Sequence, residues 1–302
     1  MTTVVDAHAH VVVPGLGADV TWRDGAQVVA HEGREIRAAL RELVDLDRIL
    51  EAQDAAGVDV VVLCAWVNLL GHEVGRQNEA LAGMVGERVA ALGTVDLERP
   101  ELLVELMEDG RLRGVEIPAA PGGAYLGDAR FRDFWAAAAQ TGALVFVHPS
   151  TRGFGLPVMD EHYLWNTVGN PLETTVSAAH MIGAGVLDEH PALRVLLAHG
   201  GGVLASLYGR LAHEQAIHPP GRDVRAAIRR FYVDTVVHDA GVLRGLVELF
   251  GADHVLCGSD YPFDMGVERP AEIVRGLGLP AEDEAKIVGG NALRLLGQER
   301  PA

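Results

Sequence analysis

The chain has 302 residues, 49% of them hydrophobic, and a formal net charge of −17. That length accommodates a single large α/β domain with an ample core, and the acidic balance argues against nucleic acid and anionic membrane surfaces, which reward basic patches. No stretch approaches the ~18 uninterrupted apolar residues of a membrane helix, and the N-terminus lacks the basic-then-apolar pattern of a signal peptide; with Cys64 and Cys257 inside apolar runs as reduced thiols, the reading is a cytoplasmic protein.

The first β-rich run, Thr3–Val5, leads into Asp6-Ala7-His8-Ala9-His10. Alternate side chains of an extended chain share a face, so His8 and His10 can aim at one centre. Val13–Glu35 follows, rich in glycine and polar residues, and reads as a long loop. Leu43–Ala56 carries Leu43, Leu46, Ile49, Leu50 and Ala52 near the 3.6-residue repeat of a helix. Beyond it, strand runs at Asp59–Cys64, Val89–Val95, Gly114–Ile117 and Ala143–Val147 alternate with helical patterns at Gln77–Val85, Pro100–Asp109 and Phe131–Gln140.

The fifth run ends in His148-Pro149 and opens a second long loop, Thr151–Asn170, with Gly153, Gly155, Pro157 and Trp165. After a helix over Pro171–Ile182, the run Arg194–Ala198 leads into His199-Gly200-Gly201-Gly202. Helical patterns at Val203–His213 and Val224–Arg230 precede the strand Phe231–Asp234. A helix over Ala240–Phe250 and the strand His254–Cys257 lead to Gly258-Ser259-Asp260-Tyr261-Pro262. Glu282–Leu296 reads as a helix broken at Gly289-Gly290.

Eight strand runs alternating with helices imply βαβ units in one domain over residues 1–302, a (β/α)8 TIM barrel. A doubly wound open sheet would favour a glycine-rich loop after its first strand; here histidines stand there. In such a barrel the C-terminal strand ends converge on one face, where active sites lie. His8, His10, His148, His199 and Asp260 would all reach that rim. Three histidines with a carboxylate suit a borderline divalent ion such as zinc, and manganese or iron could take the same ligands.

Four protein ligands suffice for one ion, which leaves a fifth group. His199, ahead of three glycines that permit close approach of a ligand, is read as the general acid/base; the alternative is a ligand to a second ion. Trp66, Phe263, Tyr163 and Trp165 could wall a planar substrate, or simply pack.

Asp6-Ala7-His8-Ala9-His10, Phe146-Val147-His148-Pro149, Ala198-His199-Gly200-Gly201-Gly202 and Gly258-Ser259-Asp260-Tyr261-Pro262-Phe263 together resemble the decarboxylase-like branch of the amidohydrolase superfamily. The likeness runs nearly the whole chain, through Gly57-Val58-Asp59, Gly114-Val115-Glu116-Ile117 and Gly289-Gly290-Asn291-Ala292, and comes closest to the aminocarboxymuconate-semialdehyde decarboxylases. It implies a distorted barrel, zinc held by His8, His10, His148 and Asp260, His199 as acid/base residue, and Asp260 assisting proton transfer. It also implies two arginines that grip substrate carboxylates through bidentate forks. Arg210 matches one by position and in the family crosses a homodimer interface; Arg37 falls where the other would be, in a differing loop.

Aromatic-acid decarboxylases of this branch commonly carry glutamate where this chain has His8, which tilts the reading towards semialdehyde-type decarboxylases or hydrolytic relatives. Glu116, where other members of the superfamily bridge two metals, is read as a substrate-side or supporting group. The expectation is a decarboxylase of a small unsaturated or aromatic carboxylic acid. A hydrolase of lactones or amides, using the same metal and the same anion clamp, is the alternative.

Overall fold

The computed structural model describes residues 2–298 except 14, 17, 32, 40, 67, 68, 72, 151–155, 219 and 220, and leaves out the side chains of 18, 31, 34 and 36–39. Its strands are β1 (Val5–Val11), β2 (Ala18–Arg23), β3 (Ala26–His31), β4 (Arg34–Ala39), β5 (Val60–Ala65), β6 (Val89–Leu92), β7 (Gly114–Pro118), β8 (Leu144–His148), β9 (Arg194–Leu197), β10 (Phe231–Asp234) and β11 (Val255–Leu256).

Eight of these run parallel, in the orders β1-β5-β6 and β11-β10-β9-β8-β7. Two isolated bridges join the sheets edge to edge. At one seam Gly93 pairs with Val115, and the Glu116 N–H donates to the Gly93 carbonyl at 2.8 Å. At the other Ala9 pairs with Tyr261, and the His10 N–H donates to the Tyr261 carbonyl at 2.8 Å. The ring so formed is a distorted (β/α)8 barrel, with helices after most strands. No helix among the described residues is long and apolar enough to cross a membrane.

The barrel core has two layers. One face of the strands, including Val61, Leu63, Val145 and Val195, packs under the helices. The alternate positions Val62, Cys64, Ala90, Leu92, Phe146 and Leu196 fill the interior, closed at the N-terminal end by Leu295 and Leu296 of the last helix, Asn291–Leu295, and the residue after it. Both cysteines are free and buried.

Strand β1 breaks this alternation, and the break makes the site. Val5 and Ala7 point into the barrel, yet Ala9 and Val11 belong to the outer layer. The pairing of β1 with β5 shifts register between Asp6 and Ala9. An extra residue in a strand turns the following side chains to the other face. Without the shift, the face that carries Val5 and Ala7 would go on to carry Ala9, and His8 and His10 would point outwards.

The stretch Val13–Glu35, expected to be a loop, is mostly a three-stranded antiparallel sheet of β2, β3 and β4. Its first turn is Asp24-Gly25, with φ of 51° and 80°, the paired left-handed geometry of a tight hairpin. Asp-Gly between β-rich Val20-Thr21-Trp22 and Gln27-Val28-Val29 carried that signal. Val29 packs with Val12, Leu43, Trp66, Leu69 and Phe263, so this sheet is seated on the barrel rim.

The expected helices Pro100–Asp109 and Ala240–Phe250 form with those bounds. The helix expected from Leu43 starts at Leu46, because Asp45 caps it by accepting the Arg48 N–H at 3.2 Å. The expected break at Gly289-Gly290 does not occur: the chain passes from Ala281–Ala285 through a π turn, Lys286–Gly290, into Asn291–Leu295. A Cβ on Gly289 would lie 2.0 Å from the Thr3 carbonyl oxygen, so glycine here serves close packing against the chain just before β1. The loop expected over Thr151–Asn170 is partly outside the described residues; from Pro157 it forms short turns ahead of the helix Asn170–Ala184.

Candidate metal centre

Four side chains meet inside the C-terminal rim of the barrel. His8 and His10 come from β1, His148 ends β8, and Asp260 lies in the loop after β11. One donor atom from each lies within 4.8 Å of every other. The His8 and His10 Nε2 atoms are 3.1 Å apart, and Asp260 Oδ1 is 3.4 Å from the first and 3.5 Å from the second. All four residues are at most 5% exposed.

The other ring nitrogens are held from behind. His8 Nδ1 lies 2.7 Å from Asp234 Oδ2, and His148 Nδ1 lies 2.8 Å from the Pro149 carbonyl oxygen. With those nitrogens donating, Nε2 of both rings is left to face the centre. His148 Nε2 and Asp260 Oδ1 are buried with no hydrogen-bond partner. Buried polar atoms left unpaired are costly, so this convergence fits a divalent cation held by three imidazoles and one carboxylate.

Electrostatics point the same way. Burial works against a charged His8, but the Asp260 and Asp234 carboxylates outweigh it and push its pKa up to about 10. Burial holds His10 down to about 4 and, with the neighbouring histidines, His148 well below its usual value. Burial opposes an ionised Asp260 too, yet His8, His10 and His199 keep it well below the usual carboxylate range. In the metal-free protein a proton on His8 therefore supplies the positive charge that the cluster favours.

A sign follows for metal binding. Between pH ~6.5, the ordinary histidine value, and about 10, metal entry displaces one proton from His8, because the other three donors are already in their ligating forms. Zinc affinity is thus expected to rise about tenfold per pH unit over that range and to level off above it. Titration in metal buffers at several pH values measures the slope; a pH-independent affinity would contradict this assignment of protons.

His199 stands beside the cluster and outside the four-donor group. Its Nε2 is 3.5 Å from Asp260 Oδ2, and it lines a cavity of about 270 Å³ together with Asp260, Asn166, Thr167, Val236 and Met265. His199 and Asp260 both have φ of 56°, in the left-handed region that non-glycine residues rarely adopt. Gly200, Gly201 and Gly202 continue the turn with positive φ, and a Cβ on Gly202 would lie 2.1 Å from the Pro171 carbonyl oxygen.

Two anchors escaped the sequence reading. Asp234, fully buried at the end of β10, accepts from His8 and from the backbone N–H groups of His199, Gly200 and Val236 at 2.7–3.0 Å. Burial opposes its charge, but His8 and these donors hold its pKa below the ordinary carboxylate value. Asp6 accepts from the Ser259 N–H at 2.9 Å and the Gln53 amide at 3.1 Å, tying β1 to the loop that carries Asp260. Neither residue stood out, because an Asp within or just after an apolar strand resembles a cap or turn residue.

Of the expected substrate-side residues, Glu116 and Phe263 lie against His10, with Trp66 on Phe263. Glu116 is fully buried, its carboxylate 3.7 Å from His10 Nδ1 and 4.0 Å from His148 Nδ1, on the nitrogens that do not face the centre. Burial pushes its pKa well up. Phe263 packs tilted against His10 at 5.4 Å between ring centroids, with Trp66 on it at 6.1 Å. Tyr163 and Trp165 contact each other at 4.8 Å, and the Tyr163 hydroxyl donates to Asp264 at 3.0 Å. Arg210 is exposed on the helix Leu204–Ile217. Arg37 falls in β4, and its side chain lies outside the described residues.

Residues 5–298 match the amidohydrolase family. The chain is 32% identical over 290 residues to a 2-amino-3-carboxymuconate-6-semialdehyde decarboxylase of Dictyostelium discoideum, covering 88% of this chain and 80% of that protein. Among solved structures it resembles 5-carboxyvanillate decarboxylase from Sphingomonas paucimobilis, with TM-score 0.82, 21% identity and coverage of 98% and 99% of the two chains. It also resembles a dihydroxybenzoic acid decarboxylase from Polaromonas sp. JS666 with bound manganese and 2-nitroresorcinol, with TM-score 0.79, 21% identity and coverage of 100% and 98%. The two solved structures share its fold, and the match along nearly its whole length makes the chain a member of the amidohydrolase family.

Proposed function

We propose that the chain is a metal-dependent decarboxylase that removes CO2 from a small unsaturated or aromatic carboxylic acid. The observation that carries the reading is His199 on the cavity wall, 3.5 Å from Asp260 and separate from the four metal donors. A proton-transfer group beside a cation site is what replacement of CO2 by hydrogen requires, and the decarboxylase relative from Dictyostelium favours this reaction over hydrolysis.

His8, His10, His148 and Asp260 would hold the ion, and their donor set favours zinc, with manganese or iron as substitutes. Such an ion supplies Lewis-acid stabilisation of negative charge and lowers the pKa of water. His199 delivers the proton to the carbon that loses CO2. The C–C bond breaks, its electron pair stays on that carbon, and the proton completes the new C–H bond. Asp260, within reach of His199, keeps that imidazole aimed at the centre. Glu116 supports His10 from behind, and Phe263, with Trp66 packed on it, stands against that histidine beside the metal centre.

The carboxylate grip is assigned to Arg37 and to Arg210 of a second subunit. The cavity's lining among the described residues contains no lysine or arginine, whereas Arg210 is exposed one turn from exposed Leu207 on the same helix. If the arginine crosses an interface, mixing inactive Arg210→Ala and His199→Ala proteins regenerates active hybrid sites. Recovery of about a quarter of native activity is expected from random pairing of equal amounts, the statistics of a closed dimer; no recovery would mean that Arg210 does not act across an interface.

The reaction is tested by incubating zinc-loaded enzyme with substituted benzoic and unsaturated dicarboxylic acids and, separately, with lactones and amides. CO2 release matched to acid consumed supports the reading. Hydrolysis of a lactone or amide, with no CO2 from any acid, overturns it.

A further inference from the structure

We propose that Asp234 is a positioning residue that couples the metal site to proton transfer through one carboxylate. The inference rests on the metal centre described above but not on the class of reaction. Oδ2 accepts from His8 Nδ1 at 2.7 Å and from the His199 N–H at 2.9 Å. Oδ1 accepts from the Gly200 N–H at 2.9 Å and the Val236 N–H at 3.0 Å. One oxygen therefore sets the tautomer of a metal ligand and fixes the backbone of the acid/base residue; the other holds the turn that carries that residue.

Both duties need a side chain that accepts on both of its oxygens. A proton on His8 Nδ1 is what leaves Nε2 free to ligate, and a hydrogen-bonded carboxylate fixes that tautomer and raises ligand basicity. The left-handed φ of His199 is a conformation that surrounding contacts must enforce. The contacts that enforce it at His199 and Gly200 end on Asp234. The turn also packs tightly onto this region, since a Cβ on Gly200 would lie 2.5 Å from Val237 Cγ1. Asp234 lies outside the cavity lining and is fully buried, so it acts through His8 and His199 and never on substrate.

Asp234→Asn keeps the shape and replaces one acceptor with an NH2 group. With four N–H donors converging on the side chain, an amide cannot accept from both sides. If the NH2 faces His8, that ring must carry its proton on Nε2 and loses its ligating lone pair; if it faces Gly200 and Val236, the turn loosens and His8 keeps only a neutral acceptor, which makes it a weaker ligand.

Zinc dissociation constants and turnover at saturating zinc are measured separately for native enzyme, Asp234→Asn, His199→Ala and the double variant. The proposal expects Asp234→Asn to raise the zinc Kd about 10–100-fold, by a similar factor with or without His199, and to lower kcat when zinc saturates. A folded Asp234→Asn protein with native zinc Kd, or with native kcat at saturating zinc, overturns it. Zinc binding is read without substrate, so failure here is distinguishable from failure of the decarboxylase reading. If Asp234→Asn does not fold, histidine nitrogen NMR of the zinc-loaded native enzyme decides: His8 must carry its proton on Nδ1, and a proton on Nε2 overturns the proposal.

Discussion

His199→Ala is expected to bind zinc as the native protein does and to lose about 10²–10⁴ of its turnover, the usual contribution of a positioned general acid. The ring is outside the four-donor group, and its Nε2 faces the oxygen Oδ2 of Asp260, not the oxygen that approaches His8 and His10. Removing it leaves every proposed ligand in place. The loss should fall on kcat more than on KM, since the proton is delivered only as the transition state forms. Metal content per chain and steady-state rates check this together. If zinc leaves along with activity, His199 is a ligand, and the proton must come from elsewhere.

His148→Ala should fail differently. This residue, 5% exposed, offers a buried Nε2 with no hydrogen-bond partner, and its removal takes one of four donors from the cluster. Zinc affinity should fall by more than the ~10–100-fold typical of losing only a ligand's hydrogen-bond partner, and activity should drop to background at limiting metal. Stability separates this from general damage. Zinc at about a hundred times its Kd stabilises a folded binder by about 2.7 kcal/mol, seen as a rise in Tm on adding metal. The native protein and His199→Ala should show that rise, and His148→Ala should not. A full zinc-dependent rise in His148→Ala would remove His148 from the ligand set.

The candidate ligands were readable because each sits at a strand end in a motif with its own spacing: His8-Ala9-His10, His148-Pro149 and Ser259-Asp260-Tyr261. Period-2 alternation put the first two on one face, but not on which face. That depends on the register shift between Asp6 and Ala9, a property of the pairing of β1 with β5 that composition does not reveal. Asp234 was hidden for a related reason: its importance lies in contact with His8, 226 positions away in the chain. The antiparallel sheet at β2–β4, by contrast, was announced by Asp24-Gly25, and the surrounding glycine and polar residues obscured it. Glu116 shows the limit of reading position alone. Its place on β7 brought it to the cluster, but only the packing shows that it meets the rear nitrogens of His10 and His148.

The shifted register also sets a buried polar layer above an apolar one. Below it the barrel is filled by Val62, Cys64, Leu92 and Phe146; above it His8, His10, His148, Glu116, Asp234 and Asp260 share one low-dielectric space. Such groups are costly unless they are paired. Asp234 is paired four times within the protein, whereas His148 Nε2 and Asp260 Oδ1 are left to a cation.

The central claim is that this centre replaces CO2 by a proton on carbon. Zinc-loaded enzyme turning over an acid in D2O tests it most directly, with CO2 counted and the product examined by NMR and mass spectrometry. The expected result is one CO2 per acid consumed and one deuterium on the carbon that carried it, both lost in step in His199→Ala. A product that keeps the carboxyl carbon and gains the elements of water would contradict the claim and leave a hydrolase in its place.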